Sequence, residues 1–351
     1  MTRRIGVVGL GGMGRTHATS VVDAGHDVVA GADVQPAARE RFTDAFDAAT
    51  FEDFEAMYEE ADVDGVIVTT PNAFHEPASV AAFERDIDVL CEKPLAASLD
   101  AAERMVEAEA ASDARGMVGV QSRFRPSTRL FSAYRDEGRF GDVRHVEVRT
   151  IRQRGIPGVG SWFTNRELAG GGALIDIGVH VLDRSLHMLE FPELLEVSAT
   201  TRADFGGRGD YADPDDWGVG RGADEETFDV EDSASGFVRC AGGTTLSFEV
   251  AWAANRPSPT NSLVVWGTEG GAVFGRDGLR FLDADVTGVD HYVETEISTG
   301  QNHSAQAQKV EAFLADDHDG PAASFAEGLA VQRLMDAIYR SAEKGGSVTP
   351  N

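Results

Sequence analysis

The rhythm of apolar and polar positions changes near residue 125. Before it, short apolar runs at 5–8, 28–32, 65–69, 87–91 and 117–121 alternate with amphipathic stretches near 13–24, 36–46, 52–60, 74–85 and 98–111. Continuous apolar strands separated by helices predict a parallel sheet covered on both faces. From about residue 142 the pattern differs. Residues 144–151 alternate, 173–189 keep a helical period, and strand candidates follow at 194–201, 228–239, 244–253, 261–267, 271–275, 279–282 and 290–297. This predicts a mostly antiparallel sheet with one long helix. Residues 204–226 are rich in Gly and Asp and read as an exposed loop, and helical segments at 302–315 and 323–344 close the chain. The expected class is α/β. A doubly wound parallel sheet occupies 1–125, an α+β domain with a large open sheet occupies 126–322, and a terminal helix and tail occupy 323–351.

Composition sharpens this picture. A length of 351 residues exceeds what one core usually supports, and 42% apolar residues suffice for two cores. The net charge of −28 argues against a nucleic-acid partner. Two cysteines, Cys91 and Cys240, exclude a disulfide framework and show no zinc-ligand spacing. No apolar run is long enough to span a membrane, and the Gly-rich start does not read as a signal peptide, so a soluble cytoplasmic protein is expected. Of 31 bases only Lys93, Lys309 and Lys344 are lysine, leaving 31 − 3 = 28 arginines. Many acids with few lysines match a protein from salt-saturated, halophilic cytoplasm.

Gly9-Leu10-Gly11-Gly12-Met13-Gly14 follows the first strand and opens a helix. This G-x-G-x-x-G in that context is the dinucleotide fingerprint of a Rossmann domain: a tight turn at Gly9, close approach of backbone to pyrophosphate at Gly11, and helix–strand packing at Gly14. The helix start offers free N–H groups to phosphate. Asp33, at the end of the second strand, suits ribose hydroxyls and favours NAD, while Arg39 and Arg41 leave NADP open. After the third strand comes Thr70-Pro71-Asn72-Ala73-Phe74-His75, where Asn72 is either a helix cap or a ligand contact.

Cys91-Glu92-Lys93-Pro94 ends the fourth strand, and Lys93 is the only lysine in the first 300 residues. A desolvated ammonium there can donate to a substrate oxygen. Pro94 stops the strand and is a candidate for a cis bond. Further on, Gly170-Gly171-Gly172 precedes a helix whose apolar stripe is Ile175, Val179, Leu182 and Leu186. Asp176 and His180 stand i,i+4 on another face, with Asp183 a turn on. A capped, hydrogen-bonded histidine is the plain alternative for His180, and no metal is expected for want of a further clustered ligand.

GLGGMG, TPNAFH, CEKPL and GGGALIDIGVHVLD, in this order, resemble the glucose-fructose oxidoreductase / inositol dehydrogenase (Gfo/Idh/MocA) family. EDSASGFVRCAGGTTLSFEVAW and VVWGTEGGAVF also look like that family's C-terminal sheet. The resemblance implies a catalytic triad of Lys93, Asp176 and His180, and dimers or tetramers built through the open sheet. Within QSRFRP, Arg123 matches the family's run and Ser122 departs from it. The expected coenzyme contacts are Gly9, Gly11, Gly12, Met13, Gly14, Asp33, Thr70, Pro71, Asn72, His75, Glu92, Lys93 and Gln121. The expected substrate contacts are Lys93, Arg123, Trp162, Asp176 and His180. Phe163, Arg166, Trp252 and Asn255 are further candidates for the substrate rim, with core or interface positions as the alternative for both tryptophans.

The implied reaction is NAD(P)-dependent oxidation of a secondary alcohol of a sugar, cyclitol or sugar derivative. His180 serves as general base and Lys93 stabilises the alkoxide. Two alternatives share these motifs: an NAD-dependent glycosidase of the same family and a non-catalytic cofactor-sensing regulator. The charge makes its own forecast: the melting temperature should rise steeply between dilute buffer and molar KCl. An equally sharp melt at one temperature in both would refute the halophilic reading.

Overall fold

The computed structural model describes residues 2–209, 211, 228–275, 278–284, 290–296, 304–315 and 320–350. The chain divides into two compact units, Met1–Phe124 with His303–Gln332, and Arg125–Asn302 with Arg333–Asn351. Each is built around its own sheet.

The first unit carries β1 (Arg4–Val8), β2 (Asp27–Ala32), β3 (Ala49–Phe51), β4 (Gly65–Val68), β5 (Asp88–Glu92) and β6 (Gly116–Gly119) in parallel, in the order β6-β5-β4-β1-β2-β3. Ala323–Ser324 adds an antiparallel pair at the β6 edge. This is the doubly wound order, with its topological switch between β1 and β4, where ligands bind in such folds. Two apolar clusters cover the sheet, one holding Val66, Val68, Val89 and Phe325, the other Ile5, Val7, Ile67 and Leu90. Burial on both sides explains why these strands read as unbroken apolar runs.

The second unit carries β7 (Val143–Ile151), β8 (Leu194–Arg202), β9 (Ser233–Cys240), β10 (Thr245–Ala251), β11 (Thr260–Gly267), β12 (Gly270–Phe274), β13 (Gly278–Ala284) and β14 (Asp290–Glu296). Their order is β14-β13-β12-β11-β7-β10-β9-β8, and only β7 and β10 pair in parallel. Val146, Val148, Leu246, Phe248, Leu263 and Val265 point inward and are buried. On the same three strands the alternate positions include the half-exposed His145 and the exposed Trp266, so one face of the sheet is left open.

The elements that escaped the sequence pattern include β3, the edge pair Ala323–Ser324, the helix Pro126–Asp136 and the one-turn helix Arg166–Ala169. Of the loop expected at 204–226, residues 210 and 212–226 lie outside the described residues. No described helix is long and apolar enough to cross a membrane.

The domain expectation also differs at 304–315 and 320–322, which belong to the first unit rather than the second. The reason lies in helix Ala305–Leu314, which buries Val310, Phe313 and Leu314 in the first core together with Lys309. Lys309 Nζ donates to Glu92 Oε1 and to the Gly119 carbonyl (3.2 Å). His17, fully buried on helix Gly12–Asp23, stands 2.8 Å from the same Glu92 oxygen through Nε2. Because a carboxylate only accepts, that nitrogen carries the proton. The Lys93 N–H donates to Glu92 Oε2 (3.2 Å). Burial pushes the Glu92 carboxyl up, but the Lys309 ammonium and the His17 N–H outweigh it and hold the group well below the usual carboxylate range.

Removing one partner of a buried pair strands the other, at about 3–5 kcal/mol. Lys309→Met should therefore lose that much stability at pH 7, measured by urea unfolding in molar KCl. A stranded buried Glu92 has a raised pKa, so the deficit should narrow as pH falls towards the unfolded carboxyl value near about 4.3. In the parent chain the depressed pKa works the other way: the Glu92 contribution is present above that value and lost as pH falls through the folded one.

Candidate active site

Within the first unit, the sequence-predicted coenzyme residues gather at the carboxyl ends of the strands. Gly9 follows β1 with a left-handed backbone (φ +89°), and its N–H donates to the Ala32 carbonyl (2.8 Å). A Cβ on Gly14 would overlap the Gly9 carbonyl oxygen, so only glycine lets the helix pack this closely. Gly11 and Gly12 differ: a Cβ there meets nothing within 4 Å. Packing within the chain does not call for glycine at these two positions, and the open space suits an approaching pyrophosphate. The helix that starts at Gly12 has no side-chain cap and no acid in its first turn, and Met13 is exposed beside it. Its uncapped N–H groups suit a phosphate.

Asp33 follows β2. Its Oδ2 accepts from the Leu10 N–H and its Oδ1 from the Gln35 N–H, both at 2.8 Å, which leaves a lone pair on each oxygen for ribose hydroxyls. Arg39 is engaged: Nη1 donates to the Asp33 carbonyl (2.7 Å) and Nη2 lies 3.9 Å from Glu52. The groove beside Arg39 is also lined by Glu40 and Asp44, a poor setting for a 2′-phosphate. Arg41 is exposed. After β4, the buried Thr70 Oγ1 has no hydrogen-bond partner and is the orphaned polar atom a bound coenzyme can satisfy. Pro71 is half-buried and Asn72 is buried at the start of a 3₁₀ turn. Gln121 starts a similar turn after β6. These features together fit a dinucleotide.

Three residues do other work than expected. His75 is buried, with Nδ1 2.9 Å from the Pro94 carbonyl and Nε2 3.0 Å from the Thr70 carbonyl, so it ties the loop after β4 to the loop after β5. Glu92 spends its carboxylate on Lys309 and His17. Arg123, counted among substrate contacts, is buried and ion-paired with Glu327 (3.0 Å). Lys93 itself is half-buried, and the Lys93–Pro94 bond is cis. Lys309 was missed by motif reasoning. The available signal was a lone lysine in a helix that otherwise buries apolar residues.

In the second unit, the triple-glycine segment is shaped by a buried carboxylate. Glu231 accepts from the Gly172 N–H (3.0 Å), the Leu174 N–H (2.9 Å) and the Tyr339 hydroxyl (3.0 Å). Burial raises its pKa against those three donors. A Cβ on Gly172 would overlap the Glu231 carbonyl oxygen. The helix does not begin as an α-helix from Ala173, as its period suggested. Leu174–Gly178 is a π turn, and Val179–Met188 continues as α-helix. A π turn inside a helix is frequently found at functional sites. The predicted stripe of Ile175, Val179, Leu182 and Leu186 is buried as expected.

Asp176 sits in the π turn. The indole Nε1 of Trp252 donates to its Oδ2 at 2.9 Å. Trp252 is fully buried, so it holds a carboxylate in place and has no face for a sugar ring. Between Gly171 and Asp183 only Asp176, His180 and Val181 retain partial exposure. Trp162 is half-buried and stacks on Phe163 with ring centroids 3.9 Å apart. Arg166 donates its backbone N–H to Asp229, and Asn255 accepts from Arg154. Among the described residues no cluster of His, Cys, Asp and Glu could hold a metal.

Trp252→Phe keeps most of the ring and deletes the donor. A hydrogen bond to a charged group is worth about 1.5–3 kcal/mol. The variant should lose stability in that range, read by thermal unfolding, and an unchanged melt would show the bond contributes nothing.

Comparison with known proteins agrees with both halves. Residues 3–120 match the model of the Gfo/Idh/MocA oxidoreductase family, NAD-binding Rossmann fold, and residues 129–273 match the Gfo/Idh/MocA C-terminal domain. The chain is 33% identical to a putative UDP-kanosamine synthase oxidoreductase subunit of Amycolatopsis mediterranei, over 97% of this chain and 96% of that one. It is 30% identical to D-glucoside 3-dehydrogenase of Escherichia coli, over 86% and 83%. Levoglucosan dehydrogenase in complex with NADH has the same fold, with a TM-score of 0.86 at 22% identity over the full length of both chains. The chain belongs to the Gfo/Idh/MocA family of NAD-dependent oxidoreductases.

Proposed function

We propose that this oxidoreductase oxidises a secondary alcohol of a sugar, cyclitol or sugar derivative, with Lys93, Asp176 and His180 as its catalytic residues. The carrying observation is the segment from Gly171 to Asp183, buried except at Asp176, His180 and Val181. It leaves a carboxylate and an imidazole accessible four residues apart, with the carboxylate held by Trp252. The oxidised nicotinamide, when bound, supplies the hydride acceptor. His180 takes the hydroxyl proton at an imidazole nitrogen. Lys93 donates from Nζ to the same oxygen and stabilises the charge that develops there. Asp176 orients His180 or a neighbouring substrate hydroxyl. The named activities of the similar proteins, on glucosides and levoglucosan, support a carbohydrate as substrate class.

NAD is the preferred coenzyme in this reading, because Asp33 keeps a lone pair on each oxygen for ribose hydroxyls and Arg39 is already engaged by Asp33 and Glu52. We also infer a homodimer or homotetramer through the open sheet face, where Trp266 and Phe237 are exposed aromatic side chains beside His145.

His180→Ala should lower kcat by about 10²–10⁴-fold while NADH binding, followed by fluorescence titration, stays unchanged. Full turnover in this variant would remove His180 from the mechanism. With the parent enzyme, NADH should accumulate in step with a free sugar consumed. A glycosidase of the same fold would return its NADH and show none.

A further inference from the structure

Several arginines of this acid-rich chain pair with a carboxylate, among them Arg3, Arg115, Arg123 and Arg340. Arg184 is largely buried and has no such pair among the described residues. Arg184, on helix Val179–Met188, lies with its guanidinium over the Phe274 ring, 4.3 Å from the centroid. Its one hydrogen bond is long, from Nη2 to Ser127 Oγ at 3.4 Å, and its buried Nε has no acceptor. Burial comes first and the neighbouring Arg125 second in pushing its pKa down to about 9.

Ser127 and Arg125 add to the imbalance. Both stand at the start of helix Pro126–Asp136, with Arg125 as the N-cap residue, no side-chain cap and no acid in the first turn. An N-cap normally carries Ser, Thr, Asp or Asn, and a helix start favours negative charge. Here the positive end of the helix meets two arginines. The Ser127 N–H, in the first turn, has no intrahelical acceptor. A guanidinium fork, a hydroxyl, a free N–H and a second arginine on one spot are the donor set that recognises a carboxylate or phosphate.

We infer that Arg184, Arg125 and the first turn of helix Pro126–Asp136 form a binding site for an oxyanion, a phosphate or carboxylate group. The anion supplies the negative charge that the Arg184 guanidinium and the helix start both lack. It arrives either as a free ion or as the acidic group of a larger ligand. Arg184 follows His180 by one turn, about 6 Å along the same helix, which places the site within reach of a sugar-sized molecule.

The test uses the full-length protein at fixed ionic strength, replacing part of the KCl by potassium phosphate or by potassium acetate and reading the melting temperature. The parent protein should be stabilised by one or both anions, which identifies the group taken. Arg184→Met should lose that response, with apparent affinity at least tenfold weaker, and its melt without added anion should hold or rise, because an uncompensated buried charge is gone. Arg125→Gln, a change at an exposed position, should weaken the response several-fold and serves if Arg184→Met does not fold. No stabilisation of the parent by either anion, or an equal response in the variants, would overturn the site. To separate a free ion from a ligand group, KM is compared for a neutral sugar and its phosphate or acid counterpart. A KM advantage of the charged sugar that disappears in Arg184→Met assigns the site to the substrate. The same KM for both sugars assigns it to free anion. The melting measurement is independent of the proposed reaction, so failure of either leaves the other readable.

Discussion

A carboxylate removed from water must be given donors, and two such carboxylates organise this protein. Glu92 ends β5 inside the first unit and is met by Lys309, by His17 and by the N–H of Lys93. Glu231 lies inside the second unit and is met by two backbone N–H groups at the head of the π turn and by Tyr339. Each stands next to a segment that presents a candidate catalytic side chain. The two differ in how the charge is met. Glu92 has a cation and stays ionised, while Glu231 has only neutral donors and its pKa rises. An unsatisfied carboxylate in either place costs several kcal/mol, so neither backbone segment can shift without breaking its donors. Rigid support of this kind is what a hydride-transfer site requires.

The same constraint accounts for the glycine motifs, which look alike in sequence and are not. Gly14 and Gly172 are fixed by contact: each lies against a backbone carbonyl that a Cβ would overlap. Gly11 and Gly12 face open space. The first pair is glycine so that the chain can fold on itself, while packing within the chain does not call for glycine at the second. The packing role of Gly14 is legible in the G-x-G-x-x-G pattern because its context, strand then helix, is short-range. The triple glycine was legible only as a break before a helix. Its steric reason, a carbonyl from residue 231, is distant in sequence and invisible to any local pattern.

Legibility followed the same line elsewhere. The parallel strands were readable because both faces are buried and the runs are uniformly apolar. The antiparallel strands were readable because alternation survives where one face is open. The edge pair Ala323–Ser324 and the three-residue β3 are too short to carry a period. The π turn lay outside reach, since Asp176 and His180 keep a helical spacing in the sequence whether the turn is α or π. For Trp252 the sequence leaves rim and core both open, and the structure gives the core, because an aromatic residue near a strand end gives no sign of which way its N–H points. Lys309 illustrates the opposite case. Its rarity in an arginine-rich chain is visible, but its partner Glu92 stands 217 residues away in the sequence.

Charge completes the account. The cations that matter for architecture are interior or paired: Lys309 with Glu92, Arg123 with Glu327, and Arg3 with Arg115 on the shared Asp88. That consumes bases without neutralising the surface and leaves an excess of exposed acids from a total of 59. Mobile ions screen exposed charges over a few ångströms at molar concentration and act far less on buried pairs. Salt therefore acts on the repulsion between surface carboxylates, while the contacts that hold Lys93 and Asp176 in place are insulated from it. A chain arranged this way can carry a large negative charge and still keep the geometry of its candidate site independent of the ionic strength around it.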